Sequence, residues 1–292
     1  MMPPMRWPWR FVIVTAGRTT SFWTVEKMII TSRANSKIKQ FRKLNDRKER
    51  QQTGLFTIEG LRIVAEAVEQ KAEMEMLLVS PDLLVSEFGQ ELAEMVRQSG
   101  VEVVEVSDDV FHSLSLKDGP QGMAAVVRQH WLELDAVRLT RGENWTALES
   151  IQNPGNLGTI MRTQDAVGAP GLILLDHSTD PYDPAAMRGS MGAIFTQKLV
   201  RASFAEFADW KRQRGYPVVG TSDEAAMDFQ DVVYPDPVLL LMGSERQGLD
   251  AAQMAVCDEM VRIPMVGQND SLNLAVATGV MLYEIFNQRR HR

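Results

Sequence analysis

The chain has 292 residues, 45% hydrophobic and 24% charged, with 31 Lys and Arg against 38 Asp and Glu for a net charge of −7. These are globular proportions that exclude a disordered polymer, and the length suggests two domains. A single cysteine, Cys257, excludes an internal disulfide and a Cys-rich metal site and fits a reducing compartment. The acidic balance opposes a nucleic-acid partner only as an average. The first fifty residues hold 12 basic and 3 acidic groups, net +9, whereas the remainder holds 19 and 35, net −16. A basic N-terminal arm precedes an acidic body, and phosphate would meet the arm first.

Residues 1–27 combine Pro and Trp with a short apolar run, FVIVTAG, well below the roughly 20 residues a membrane span needs and a poor signal-peptide core. They read as a disordered extension, the folded chain starts near Met28, and a cytoplasmic protein without a membrane segment is expected. Ile38, Phe41 and Leu44 recur three apart and predict a helix over Ser36–Leu44, with Lys37, Lys39, Arg42 and Lys43 on its other face. GLFTIEG then reads as a strand, LRIVAEAVEQ as a helix, MEMLLVS as a strand and ELAEMVRQSG as a helix ended by Gly100. VEVVEVS, DDVFHSLSL and MAAVVRQ continue the alternation, giving an α/β domain over 28–130.

Weak periodicity and mixed charge place a linker over 131–144, and a second α/β domain fills 145–292. Its strands, WTALES, GLILLD, KLVRAS, YPVVGTS, VLLLMGS and MVRIP, are mostly continuous apolar runs of the kind a parallel sheet buries on both faces. The last helix, from about Ser271 to Arg289, has a broad apolar face and a basic end suited to a helix C-terminus.

Three polar, Gly-containing segments stand where apolar strands end: NPGNLGTIMRT (Asn153–Thr163), GSERQGL (Gly243–Leu249) and IPMVGQNDSLNLAVA (Ile263–Ala277). Ligands of parallel α/β sheets bind beyond the strands' carboxyl ends, so these segments are the first place to look. Gly243 to Gly248 has the P-loop glycine spacing, but Leu249 occupies the lysine position. No GxGxxG follows a strand, no serine sits in a GxSxG elbow, and the four histidines lack metal spacing. Dehydrogenase, hydrolase and zinc-enzyme readings therefore lose support, and no metal site is expected.

In order and content the three segments resemble the signature motifs of the SpoU (TrmH-like) class of SPOUT RNA methyltransferases. RGSMGAIF (Arg188–Phe195) resembles the stretch between the first two motifs, and SRANSKIKQFRKLNDRKER through GLFTIEGLRIVAEA resembles the L30e-like substrate-binding domain many members carry. The resemblance implies a small L30e-like α/β domain followed by a SPOUT α/β domain with a C-terminal deep trefoil knot, an exception to the avoidance of threading. It implies transfer of a methyl group from S-adenosyl-L-methionine to an RNA ribose 2′-hydroxyl, with ribosomal RNA favoured over tRNA, and a homodimer formed through the C-terminal domain. A catalytically silent RNA-binding protein on the same fold is the alternative.

By motif position, the resemblance implies catalytic roles for Arg162, Asn156, Glu245, Ser271 and Asn273. Arg162 would position the hydroxyl and the target phosphate, because a guanidinium keeps its proton at physiological pH. Asn156 would fix the first motif or the ribose, and Glu245 would orient Arg162 by a charge-assisted hydrogen bond. Ser271 and Asn273 also suit a helix cap. The cofactor would lie against Met242, Gly243, Ser244, Gly248, Ile263, Pro264, Met265, Ser271, Leu272 and Asn273, with Gly243 and Gly248 allowing close backbone approach. Arg33, Lys37, Lys39, Arg42, Lys43 and Arg47 would contact RNA. Asn269 and Asp270 depart from the commonest residues before the motif serine, and Cys257 reads as a small buried hydrophobe.

Overall fold

A computed structural model of the chain describes residues 29–268 and 271–290. The expected extension over 1–27 and the Asn269–Asp270 pair lie outside them. The first half runs α1 (Ser36–Lys43), α2 (Arg47–Thr53), β1 (Leu55–Glu59), α3 (Leu61–Glu69), β2 (Met74–Val79), α4 (Glu87–Gln98), β3 (Glu102–Glu105), α5 (Asp108–His112) and β4 (Met123–Arg128). Its four strands form a mixed sheet in the order β1-β4-β2-β3, antiparallel except between β2 and β3.

The arm is folded. Asn35 caps α1 by accepting from Lys37 N at 2.9 Å, and Asp46 caps α2 in the same way. Ile38 and Phe41 of α1 are buried with Leu44 just beyond it, as the three-residue spacing predicts. Helix α2 is not visible in that spacing, because its one inward side chain is a charged one, Arg50, only 1% exposed.

The second half runs β5 (Asn144–Glu149), α6 (Pro154–Ala166), β6 (Gly171–Leu175), α7 (Pro184–Ser190), β7 (Lys198–Ala202), α8 (Phe204–Arg214), β8 (Val218–Thr221), β9 (Met227–Asp228), β10 (Val238–Met242), α9 (Ala251–Met254), β11 (Glu259–Arg262) and α10 (Leu274–Arg290). Seven parallel strands are ordered β7-β6-β5-β10-β8-β11-β9. The six predicted strands are present; β9, two residues long, is too short to leave a pattern. Strands β5, β6 and β10 are buried along their whole lengths, as their continuous apolar runs require. From β5 the chain first builds outward through β6 and β7 and later fills the opposite side with β8, β10 and β11. Adjacent strands β5 and β10 therefore mark the point where strand order reverses, the usual position of a ligand crevice.

The connecting segment is packed: Val137 and Leu139 are buried against the second sheet, and Leu132 bridges Val200. The two halves meet at Asp180–Asp183, where Arg50 Nε donates to Asp180 Oδ2 at 2.8 Å and its Nη2 lies 3.5 Å from Asp183. Arg50 Nη1 also donates to the carbonyls of Leu44 and Asn45. Beside this clamp, the Phe56 and Tyr182 rings lie 4.6 Å apart, and the Tyr182 hydroxyl donates to His130 O at 2.8 Å. Burial pushes the Tyr182 phenol pKa upward. Among the described residues, no helix is long and apolar enough to cross a membrane.

Candidate active site

The first motif is a helix rather than a loop. Asn153 ends the turn after β5, and its side chain accepts from Gly155 N at 2.8 Å and Asn156 N at 3.2 Å; Pro154 fills the first helical position. Gly158 sits where α6 meets α7, and a Cβ there would come 2.4 Å from Ala186 O. Only glycine lets the two backbones approach so closely. Leu157, Ile160 and Met161 bury the inner face of α6, and Arg162 projects from its exposed side.

Residues from all three motifs meet in one hydrogen-bond chain. Asn156 Nδ2 donates to Glu245 Oε1 at 2.5 Å, and Asn156 Oδ1 accepts from Asn273 Nδ2 at 3.1 Å. Glu245 Oε2 also accepts from Gln152 N at 3.3 Å. Asn273 Oδ1 accepts from Ala275 N at 2.9 Å and Val276 N at 3.4 Å, so the same amide caps α10 and joins the network. The cap places the start of this helix at Leu274, three residues later than the sequence pattern suggests. Ser271 and Leu272 lie in the exposed approach to it.

One expectation needs correction. Glu245 does not hold Arg162: its carboxylate is taken by Asn156 and Gln152, and Arg162 has no hydrogen-bond or ion-pair partner among the described residues. Helix geometry explains this, because six residues beyond Asn156 put Arg162 about 9 Å along the axis and about 120° around it. Gly243 is also required by its own loop. A Cβ there would fall 2.2 Å from the Gly248 carbonyl carbon, and Ser244 and Gly248 close the turn by exchanging backbone bonds of 3.0 and 3.1 Å. Gly248 has φ +66°, the left-handed conformation that favours glycine.

Ile263, Pro264 and Met265 form an irregular stretch after β11 in which Met265 and the following Val266 are exposed. Met242 is buried at the end of β10, and its sulfur accepts from Thr221 Oγ1 at 3.6 Å. The exposed apolar side chains of Met265 and Leu272 would suit an aromatic base and a methionyl chain. Among the described residues there is no cluster of three His, Cys, Asp or Glu placed to hold a metal ion.

One acid escaped the sequence reading. Glu149, at the carboxyl end of β5, is 6% exposed, with Oε1 accepting from Ser150 Oγ at 2.6 Å and Oε2 lacking a partner. Burial raises its pKa; the Ser150 bond opposes this, and Asp176 and Asp250 reinforce it. Ser150 and Asp176 flank it in left-handed conformations, with φ +45° and +46°. The signal available in sequence was a carboxylate closing an otherwise apolar strand. The Cys257 thiol, by contrast, is pushed up to about 12 by burial and lies against Gly220 and Met260, which suits packing rather than nucleophilic chemistry.

The RNA candidates separate into two groups. Arg33, Lys39 and Lys43 are exposed and without side-chain partners among the described residues. Lys37 pairs with Glu102, Arg42 donates to Ser113 Oγ at 3.4 Å, and Arg47 donates to Ser178 O at 3.1 Å across the junction of the halves.

A parallel sheet with three converging motifs at its strand ends defines a methyltransferase-type α/β domain, and residues 145–283 match the SpoU rRNA methylase family. Residues 35–125 match the MRM3-like substrate binding domain. The chain belongs to the SpoU methylase family. It is 35% identical over 268 residues to the 23S rRNA (uridine(2479)-2′-O)-methyltransferase of Streptomyces viridochromogenes, covering 89% of this chain and 92% of that one. It is 29% identical to the Bacillus subtilis 23S rRNA (guanosine(2553)-2′-O)-methyltransferase RlmP, covering 88% and 98%. Among solved structures, the AdoMet-bound rRNA methyltransferase of Sinorhizobium meliloti superposes with a TM-score of 0.82 at 35% identity, over 90% of this chain and 98% of that one.

Proposed function

We propose that this chain is an S-adenosyl-L-methionine-dependent ribose 2′-O-methyltransferase acting on ribosomal RNA. The observation that carries the reading is the chain Glu245–Asn156–Asn273, which ties the three motifs together while leaving the Arg162 guanidinium open to a ligand. The 23S rRNA activity of the two similar enzymes supports rRNA over tRNA.

When bound, the cofactor supplies a methyl carbon already activated by its sulfonium charge. For that methyl group to pass to the ribose, this chain's residues would have to hold the 2′-hydroxyl oxygen in line with it and leave the hydroxyl proton a path to water. This chain's residues supply orientation. Asn156 uses both ends of its amide to hold the motifs in register, so its role is positioning. Arg162 holds the phosphate beside the target ribose and stabilises the oxygen as its proton departs, without itself acting as base. The loops at Met242–Ser244, Gly248, Ile263–Met265 and Ser271–Asn273 would hold the cofactor.

The domain assignment follows: 28–130 for RNA recognition, 131–144 as connector and 145–292 for transfer. The knot belongs to the segment from β10 to α10, a reading supported by the return of β10 between β5 and β8 before β11 is added beyond β8. An experimental chain trace free of threading would remove it. Val276 and Tyr283, seven residues apart on α10, and Leu272 in the approach to it are exposed apolar side chains, which supports a homodimer through this helix. A monomeric mass by light scattering would exclude that pairing. Mapping 2′-O-methylation across ribosomal and transfer RNA from strains with and without the gene tests the function. One ribosomal site should disappear with the gene; an unchanged ribosomal map, or loss only in tRNA, would overturn the rRNA reading.

A further inference from the structure

A cleft of about 340 Å³ opens between the two halves, on the far side of α7 from the motif network. Its floor is apolar, made by Phe41, Ile58, Leu114 and Met187, and its size is within the range of ligand sites. The lining carries three cations, Arg62, Lys117 and Arg188, against one carboxylate. That carboxylate, Glu59, is already engaged by Ser115 Oγ at 2.5 Å and Leu116 N at 3.1 Å, and Lys117 Nζ is turned to Glu59 O at 2.7 Å. Arg62 and Arg188 are exposed and without partners among the described residues.

Met191 on the rim is the second observation. It closes α7 with φ +53° and ψ +28°, a left-handed conformation that a side chain makes unfavourable, and yet its side chain is 46% exposed. Packing does not explain a methionine there. An apolar wall, apolar floor and unpaired guanidiniums match an unstacked base with its phosphate, the form in which RNA is read in sequence-specific recognition. The cleft also continues the basic face of α1, since Phe41 lines it while Arg42 and Lys43 follow on that helix's outer side.

We infer that this cleft holds an unpaired nucleotide of the RNA substrate other than the one methylated, its base against Met191 and Met187 and its phosphate between Arg62 and Arg188. The inference rests on the proposed RNA methyltransferase function and adds where the substrate is selected. Contact between α6 and α7 at Gly158 would fix the distance from this nucleotide to the target ribose.

The test uses the full chain and ribosomal RNA extracted from a strain lacking the gene. Binding is read by filter retention, and methyl transfer and S-adenosylmethionine affinity are read separately. Met191→Gly relieves the left-handed backbone, so its melting temperature should hold or rise while RNA affinity falls about fivefold. The double variant Arg62→Ala, Arg188→Ala should raise KM for RNA about tenfold with kcat within twofold, and should reduce the salt slope of binding by about 1. RNA affinity and KM unchanged in both variants would overturn the cleft assignment. A wild-type protein that binds RNA through the cleft but transfers no methyl group would overturn the proposed function and leave the cleft standing. Equal weakening of RNA and S-adenosylmethionine binding would also refute the assignment, as it would mark a general structural defect.

Discussion

At the scale of single residues, Arg162 and Glu149 show opposite electrostatic situations on neighbouring elements. Arg162 is exposed on α6 and unpaired among the described residues, so its removal disturbs no internal contact. Arg162→Ala should lower methyl transfer by a factor of about 100 or more and leave S-adenosylmethionine affinity nearly unchanged, measured by labelled-methyl incorporation and calorimetry. Glu149 is buried with one oxygen unpartnered, and its pKa is raised. The folded chain therefore binds this proton more tightly than the unfolded chain does. The group's favourable contribution is complete below the ordinary carboxylate range and is lost as pH rises through the raised folded value. Glu149→Gln should consequently raise the melting temperature at about pH 8, with the gain fading towards about pH 4, in scanning calorimetry across that range.

At the scale of elements, the start of α10 combines two tasks in one side chain. Asn273 accepts from the helix N–H groups through Oδ1 and donates to Asn156 through Nδ2. Aspartate can do the first and not the second. Asn273→Asp should retain stability within about 0.5 kcal/mol in denaturant titration, because Asp and Asn are comparable caps. Transfer should fall about tenfold, or about 1.4 kcal/mol in the barrier, since an acceptor would then face Asn156 Oδ1. A variant that loses stability and activity in parallel would show that the bond to Asn156 is a structural tie and has no separate role in transfer.

Across the whole molecule, the halves are joined by a charged clamp inside an apolar junction. Arg50 is buried against Asp180 and Asp183 and supported by two carbonyls, with Phe56 and Tyr182 packed alongside. Arg50→Met strands Asp180 in a site 3% exposed, and should cost about 3–5 kcal/mol, read as a lower guanidinium midpoint. The basic arm thus has two functions. Its exposed cations face solvent, while Arg47 and Arg50 reach across to hold the second half.

The sequence by itself determined the strand and helix alternation, because buried strands leave continuous apolar runs and α1 leaves an apolar three-residue spacing. It also determined the three motifs, whose residues are close along the chain. What only the tertiary structure decided is which of these residues touch. Asn156 lies 89 residues from Glu245 and 117 from Asn273, and no local pattern states that their side chains pair while Arg162 remains apart. Arg50 and Glu149 were hidden for the related reason that a buried charge looks like a surface charge in sequence. Its burial depends on partners and walls contributed by distant segments, which exist only once the sheets are assembled.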